Sequence, residues 1–70
     1  GICFCAEIGL SGELRNVKNI DIRISEAERL GYNKIIISEN SKIQLKTTQI
    51  KILKFSKLSD VVKEVFKEQD

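Results

Sequence analysis

Histidine is absent from these 70 residues. Acid–base work would therefore fall to a tuned Glu, Asp or Lys, and nucleophilic work to a Ser, Cys or Lys activated by a neighbour. Glu7 and Glu13 flank the stretch "IGLSG", so a hairpin there would set two carboxylates face to face, where they can share a proton. Arg15 beside them offers the simpler outcome of ion pairing, and no catalytic residue is assigned. Asp21 stands where a helix would begin, near unpaired N–H groups and the positive end of the helix dipole, an effect of about 0.3–1 kcal/mol. Cys3 and Cys5 are the only cysteines. On a strand they share one face and cannot bond to each other without severe distortion, and with no imidazole they cannot complete a set of four zinc ligands. They read as small thiols in a reducing cytoplasm. The glycines of "GLSG" are too few and wrongly spaced to cradle a phosphate.

The charge that could bind something lies further on. Residues 40–59 hold Lys42, Lys46, Lys51, Lys54 and Lys57 and no acidic residue, whereas residues 1–39 sum to −1 and residues 60–70 to −2. A run of lysines either protects an edge strand against aggregation or contacts phosphates. It contains no arginine and little aromatic interleaving.

These side chains need a scaffold. The pattern "ICFCAEI" puts Ile2, Phe4, Ala6 and Ile8 on one face and Cys3, Cys5 and Glu7 on the other. Both faces are apolar near its start, which predicts an interior strand. "GLSG" supplies a tight turn, and "ELRNV" can return as an antiparallel partner of that strand. Asn19 is placed as an N-cap, Ile20, Ile24, Ala27 and Leu30 recur at helical spacing, and Gly31 offers a left-handed C-cap. On that helix Arg23, Glu26 and Arg29 form opposite-charge pairs at i, i+3. "KIIIS" is a strand covered on both faces, parallel to the first through the helical crossover. "IKILKF" is a further strand. From Ser56 onward Leu58, Val61, Val62, Val65 and Phe66 make the cleanest helical stripe. The order β-β-α-β-β-α predicts a two-layer α+β or mixed α/β arrangement in one domain, residues 1–70, with both helices laid on a small sheet.

A domain of this size buries only about 60 % of the surface its unfolded chain exposes. With 41 % apolar and 31 % charged residues it reads as a globular sequence without a bilayer-spanning run. The absence of methionine and the start at Gly1 lead to the expectation that it is a piece of a longer protein.

The stretch "AEIGLSGELRNVKNIDIRISEAERLGYNKIIIS" resembles the C-terminal Lon-protease-like domain of the bacterial RadA (Sms) family of DNA repair proteins. Glu7, Gly9, Leu10, Ser11, Gly12, Glu13, Arg15, Val17, Ile20, Arg23, Ile24, Glu26, Ala27, Leu30, Gly31 and Tyr32 fall on the family pattern. Asn16 departs from it, standing where many members have proline. The likeness continues more loosely to the last helix. It implies a Lon-like fold of the ribosomal protein S5 domain 2 type.

More distantly the stretch is similar to true Lon proteases, in which a Ser–Lys pair performs hydrolysis and the lysine follows two glycines early in this helix. That alignment places Lys18 and Asn19 on the glycines and Asp21 on the catalytic lysine, so the general base is missing. A carboxylate there cannot replace a neutral amine, and it would oppose a developing oxyanion. The alternative is a Ser-Lys peptidase in which Lys18 substitutes.

The resemblance further implies a cytoplasmic parent protein with a zinc finger and a RecA-like ATPase using ATP and magnesium, acting as a branch-migration motor on DNA. This chain would carry none of those cofactors or catalytic groups. Its part would be non-proteolytic, contacting DNA through the Lys42–Lys57 segment and helping subunits assemble. Because a complete Lon-like domain is larger, the chain is also expected to expose a surface that self-associates, edge to edge.

Overall fold

The computed structural model describes residues 1–45 and 48–67. Strand β1 (Ile2–Cys5) leads into two short strands, β2 (Glu7–Ile8) and β3 (Leu14–Arg15), followed by helix α1 (Ile20–Arg29), strands β4 (Lys34–Ser38) and β5 (Lys51–Phe55), and helix α2 (Leu58–Phe66). The α+β class and the two helices follow the sequence pattern.

The main sheet has the order β1-β4-β5 and is parallel throughout, with Ile2 opposite Lys34 and Lys34 opposite Lys51. β4 is its interior strand. Ile35, Ile36, Ile37 and Ser38 are all buried, as a continuous apolar run predicts for a strand covered on both faces. β1 is an edge strand of this sheet and not the interior strand its pattern suggests. Ile2 and Phe4 stay 44 % and 41 % exposed. The predicted long hairpin is also divided: the chain breaks at Ala6, and only Glu7 and Ile8 pair with Arg15 and Leu14, antiparallel.

The layer count differs from expectation, since the helices cover opposite faces of the sheet. Ile35 and Ile37 pack with Ile20, Ile24 and Ala27 of α1, joined by Cys3, Cys5 and Ile52. Ile36 points the other way, into a cluster with Leu14 and Val61, against which Leu53, Phe55, Leu58 and Val65 pack. Strand alternation makes this unavoidable: a run of three buried isoleucines needs apolar cover on both sides. Three layers result instead of two.

Helix α1 starts and stops by backbone means. Asn19 occupies the N-cap position with φ 59° and ψ 43° and makes no side-chain cap, so its role is conformational: asparagine tolerates the left-handed region. At the other end Gly31 has φ +94°, its N–H bonds to the Glu28 carbonyl at 3.1 Å, and that of Tyr32 bonds to Ala27 at 3.1 Å. This is a Schellman closure, as the glycine predicts. Helix α2 begins on the first residue of its stripe, Leu58, two residues after Ser56, where the sequence pattern turns helical. Ser56 and Lys57 are spent on pairing instead: the Ser56 carbonyl accepts from Leu14 N–H at 2.9 Å, and Lys57 bridges Glu13 in extended geometry.

Candidate functional site

The glycine turn is a three-residue loop. Gly9 N–H bonds to the Glu13 carbonyl at 2.9 Å, Gly12 N–H bonds to the Gly9 carbonyl at 3.0 Å, and Gly12 takes φ +80°. That is a β-turn closed by a bulged glycine, a conformation an L side chain adopts only under strain. The turn is seated on the start of α2, where the Gly12 carbonyl accepts from Leu58 N–H at 2.8 Å and satisfies one of the helix's free donors. At its tip Leu10 is fully exposed.

The two hairpin carboxylates do not pair with each other. Glu13 accepts from Arg15 at 2.8 Å and from Ser11 N–H at 3.0 Å, while Glu7 lies opposite Arg15 in the ladder. The Arg15 bond, with help from backbone N–H groups, holds the Glu13 carboxyl below the usual glutamate range. Such a group stays ionised near neutrality and has no proton to share.

Asp21 also has a defined partner. Its Oδ1 accepts from Gln44 N–H at 3.0 Å, in the connection between β4 and β5. Two helical turns further on, Glu28 Oε1 accepts from Thr48 Oγ1 at 2.7 Å, from Ile50 N–H at 2.9 Å and from Gln49 N–H. The Thr48 hydroxyl, then the two backbone N–H groups, lower the Glu28 pKa. Asp21 and Glu28 therefore strap the connection to α1, with Ile43 and Leu45 packed beneath it. The role of Glu28 left no trace in the sequence, because main-chain donors more than twenty residues away leave no composition signal. Arg23 likewise departs from the expected helix pairing: its Nε donates to the Lys18 carbonyl at 3.0 Å.

The lysines spread along one side of the sheet. Lys42 is exposed in the connection, Lys51 and Lys54 are exposed on β5, and Lys57 follows just before α2. Lys46 lies outside the described residues. β5 is the second edge of the sheet, so the edge-protection reading has its geometric premise. Successive steps from Lys51 to Lys54 to Lys57 cover about 10 Å each, alternating in face. Sequence reasoning missed Lys63, which joins Lys57 in a depression also lined by Ser11, Gly12, Leu58 and Val62. It is separated from the lysine run in sequence and reaches it only through the helix.

Cys3 and Cys5 are free thiols, half-buried toward α1. Burial raises the Cys5 pKa, partly opposed by Arg23. Among the described residues no three His, Cys, Asp or Glu side chains gather closely enough for a metal ion, and no helix is long and apolar enough to cross a membrane.

The class defined so far is a small α+β unit with a parallel sheet and a strapped helix. By sequence it is similar to proteins named DNA repair protein RadA: 38 % identical over 65 residues to that of Streptococcus pneumoniae, covering 91 % of this chain. Identity is 45 % over 57 % of the chain to the Listeria monocytogenes protein, and 49 % over 50 % of it to that of Bacillus subtilis. The chain spans between 8 % and 16 % of the length of these three curated relatives. No protein-family model matches it.

Proposed function

We propose that the chain is a Lon-like, non-proteolytic part of a RadA-type DNA repair protein, contributing contacts to DNA and to other subunits. The observation that carries this reading is the 38 % identity to the Streptococcus pneumoniae RadA over 91 % of the chain. A second observation supports it. Asn19, which the Lon alignment places on a glycine, adopts the left-handed backbone that glycine takes without strain.

The chemistry of the peptidase site is replaced by structure in this reading. Asp21, on the position of the catalytic lysine, is bound to Gln44 N–H and serves as a strap. ATP, magnesium and zinc belong to other parts of the parent protein. DNA contact is assigned to Lys42, Lys46, Lys51, Lys54 and Lys57, with Lys63 beside Lys57.

The test is a Streptococcus pneumoniae RadA in which this chain replaces the homologous segment. The chimera is expected to restore survival after DNA damage to a strain lacking RadA. Failure at normal protein levels would overturn the family reading. Charge reversal at Lys51, Lys54 and Lys57 together should flatten the salt dependence of duplex binding by a slope of about 3, one per lost phosphate contact. An unchanged slope removes the lysines from the DNA surface. Peptide hydrolysis lost on Lys18→Ala would establish the Ser-Lys peptidase instead.

A further inference from the structure

Strand β1 turns its two thiols to the same side. Cys3 and Cys5 stand at i and i+2, both half-buried and both packed toward α1. They line one hollow of about 250 Å³ between β1 and α1, whose walls include Arg23, Glu26 and Tyr32. The ladder to β4 and the contact with α1 fix this face, whatever lies on the outer side of the strand.

At about 3.3 Å per residue the Cα atoms are about 6.6 Å apart and the Cβ atoms stand nearly as far, beyond the roughly 3.5–4.5 Å that a disulfide needs. An ion between the sulfurs changes that requirement. Two metal–sulfur bonds of roughly 2.3 Å span about 4.6 Å, and opposite χ1 rotamers lean the sulfurs toward each other along the strand by about 1 Å each. The charges of the hollow favour such an ion. Burial raises the Cys5 pKa, the Arg23 charge pulls it down, the Cys3 sulfur pushes it up, and an Arg23 hydrogen bond lowers it again. A second thiolate is thus opposed by the first, and a cation held by both removes that opposition while it displaces the two protons. Two thiolates and one monovalent cation leave one negative charge, which the Arg23 guanidinium faces. Glu26, one helical turn further on, is the charge that counts against it.

We propose that Cys3 and Cys5 form a two-thiolate site for a soft monovalent cation, copper(I). Thiolates favour copper(I), zinc and iron–sulfur clusters, and of these only copper(I) is satisfied by two ligands. Binding involves no change of oxidation state: two S–H bonds break, two S–Cu bonds form, and two protons leave to solvent. The site uses none of the lysines, so its failure would leave the proposed function untouched.

Copper(I) titrated without oxygen into the reduced chain, in competition with bicinchoninate, is expected to bind at one ion per chain and to release two protons. Cys3→Ser and Cys5→Ser each remove half the ligands and should weaken binding at least about a hundredfold, more than the loss of a group behind a ligand costs, at unchanged far-ultraviolet circular dichroism. Silver(I) gives a second reading on the unaltered chain. Its addition should shift the NMR signals of Arg23 and Tyr32 and leave those of Leu10, on the glycine turn, in place. One ion shared between two chains, binding retained in either serine variant, or silver shifts absent from Arg23 and Tyr32 overturns the proposal.

Discussion

The two edges of the main sheet differ in chemistry although they flank the same strand. β5 carries exposed Lys51 and Lys54 among its five residues, and Glu28 of α1 holds the segment that leads into it through Gln49 and Ile50. β1 carries no charge and is half exposed at Ile2 and Phe4. Charged side chains on an edge discourage a further strand, because pairing would strip their water or set like charges opposite one another. The contrast teaches that β5 carries the charges of a finished edge and β1 does not. Lysines at a finished edge can serve two ends at once, since a side chain that repels a strand is also free to meet a phosphate.

Removing what both edges share has the largest expected effect. Ile37→Ala in β4 deletes a fully buried side chain and should cost about 2–5 kcal/mol, read from urea unfolding. A loss below 1 kcal/mol would mean that β4 is not the common support. Next comes the hairpin that carries the chain onward from β1. Gly12→Ala forces a side chain into φ +80° and should cost about 1 kcal/mol in the same measurement.

Converting one edge into the other is a smaller change in energy but a sharper test. Lys51→Val combined with Lys54→Val should leave unfolding within about 0.5 kcal/mol of the parent while raising the molar mass seen by light scattering. Unchanged mass would mean that the lysines do not guard β5. The subtlest effect concerns the strap. The folded-state pKa of Glu28 is lowered, so its contribution is present above the ordinary glutamate range and is lost as pH falls through the lowered value. Between pH 5.5 and pH 3 the thermal midpoint of the parent should therefore fall further than that of Glu28→Gln. Equal falls would show that the carboxylate does not hold the segment before β5.

Sequence was most informative where one residue's environment depends on its neighbours along the chain. The run "KIIIS" announced a doubly covered strand and Gly31 announced its helix end, while the α2 stripe held for Leu58, Val61 and Val65 and not for Val62 and Phe66, which stay exposed. Arg15 beside Glu13 was enough to expect an ion pair. It was least informative where the deciding partner lies far away. The apolar faces of β1 are real, yet only the sheet order reveals that among the described residues a single strand pairs with it. The late start of α2 depends on Leu14 and Glu13 claiming Ser56 and Lys57. Asp21 was legible as a helix-start carboxylate and as a departure from a lysine, but its bond to Gln44 was not. The lysine run marked a charged segment without showing that it follows a sheet edge.

The parallel order of the sheet also has a consequence in time. Ile2 waits for Lys34, about thirty residues downstream, before β1 gains its pairing partner. At a synthesis rate of about 5–20 residues per second that interval is roughly 2–6 s, during which the uncharged "ICFCA" segment lacks its β4 partner. An apolar, uncharged strand is thus made before the strand and helix that cover it in the folded chain, and the order of synthesis is the reverse of the order in which its burial is secured.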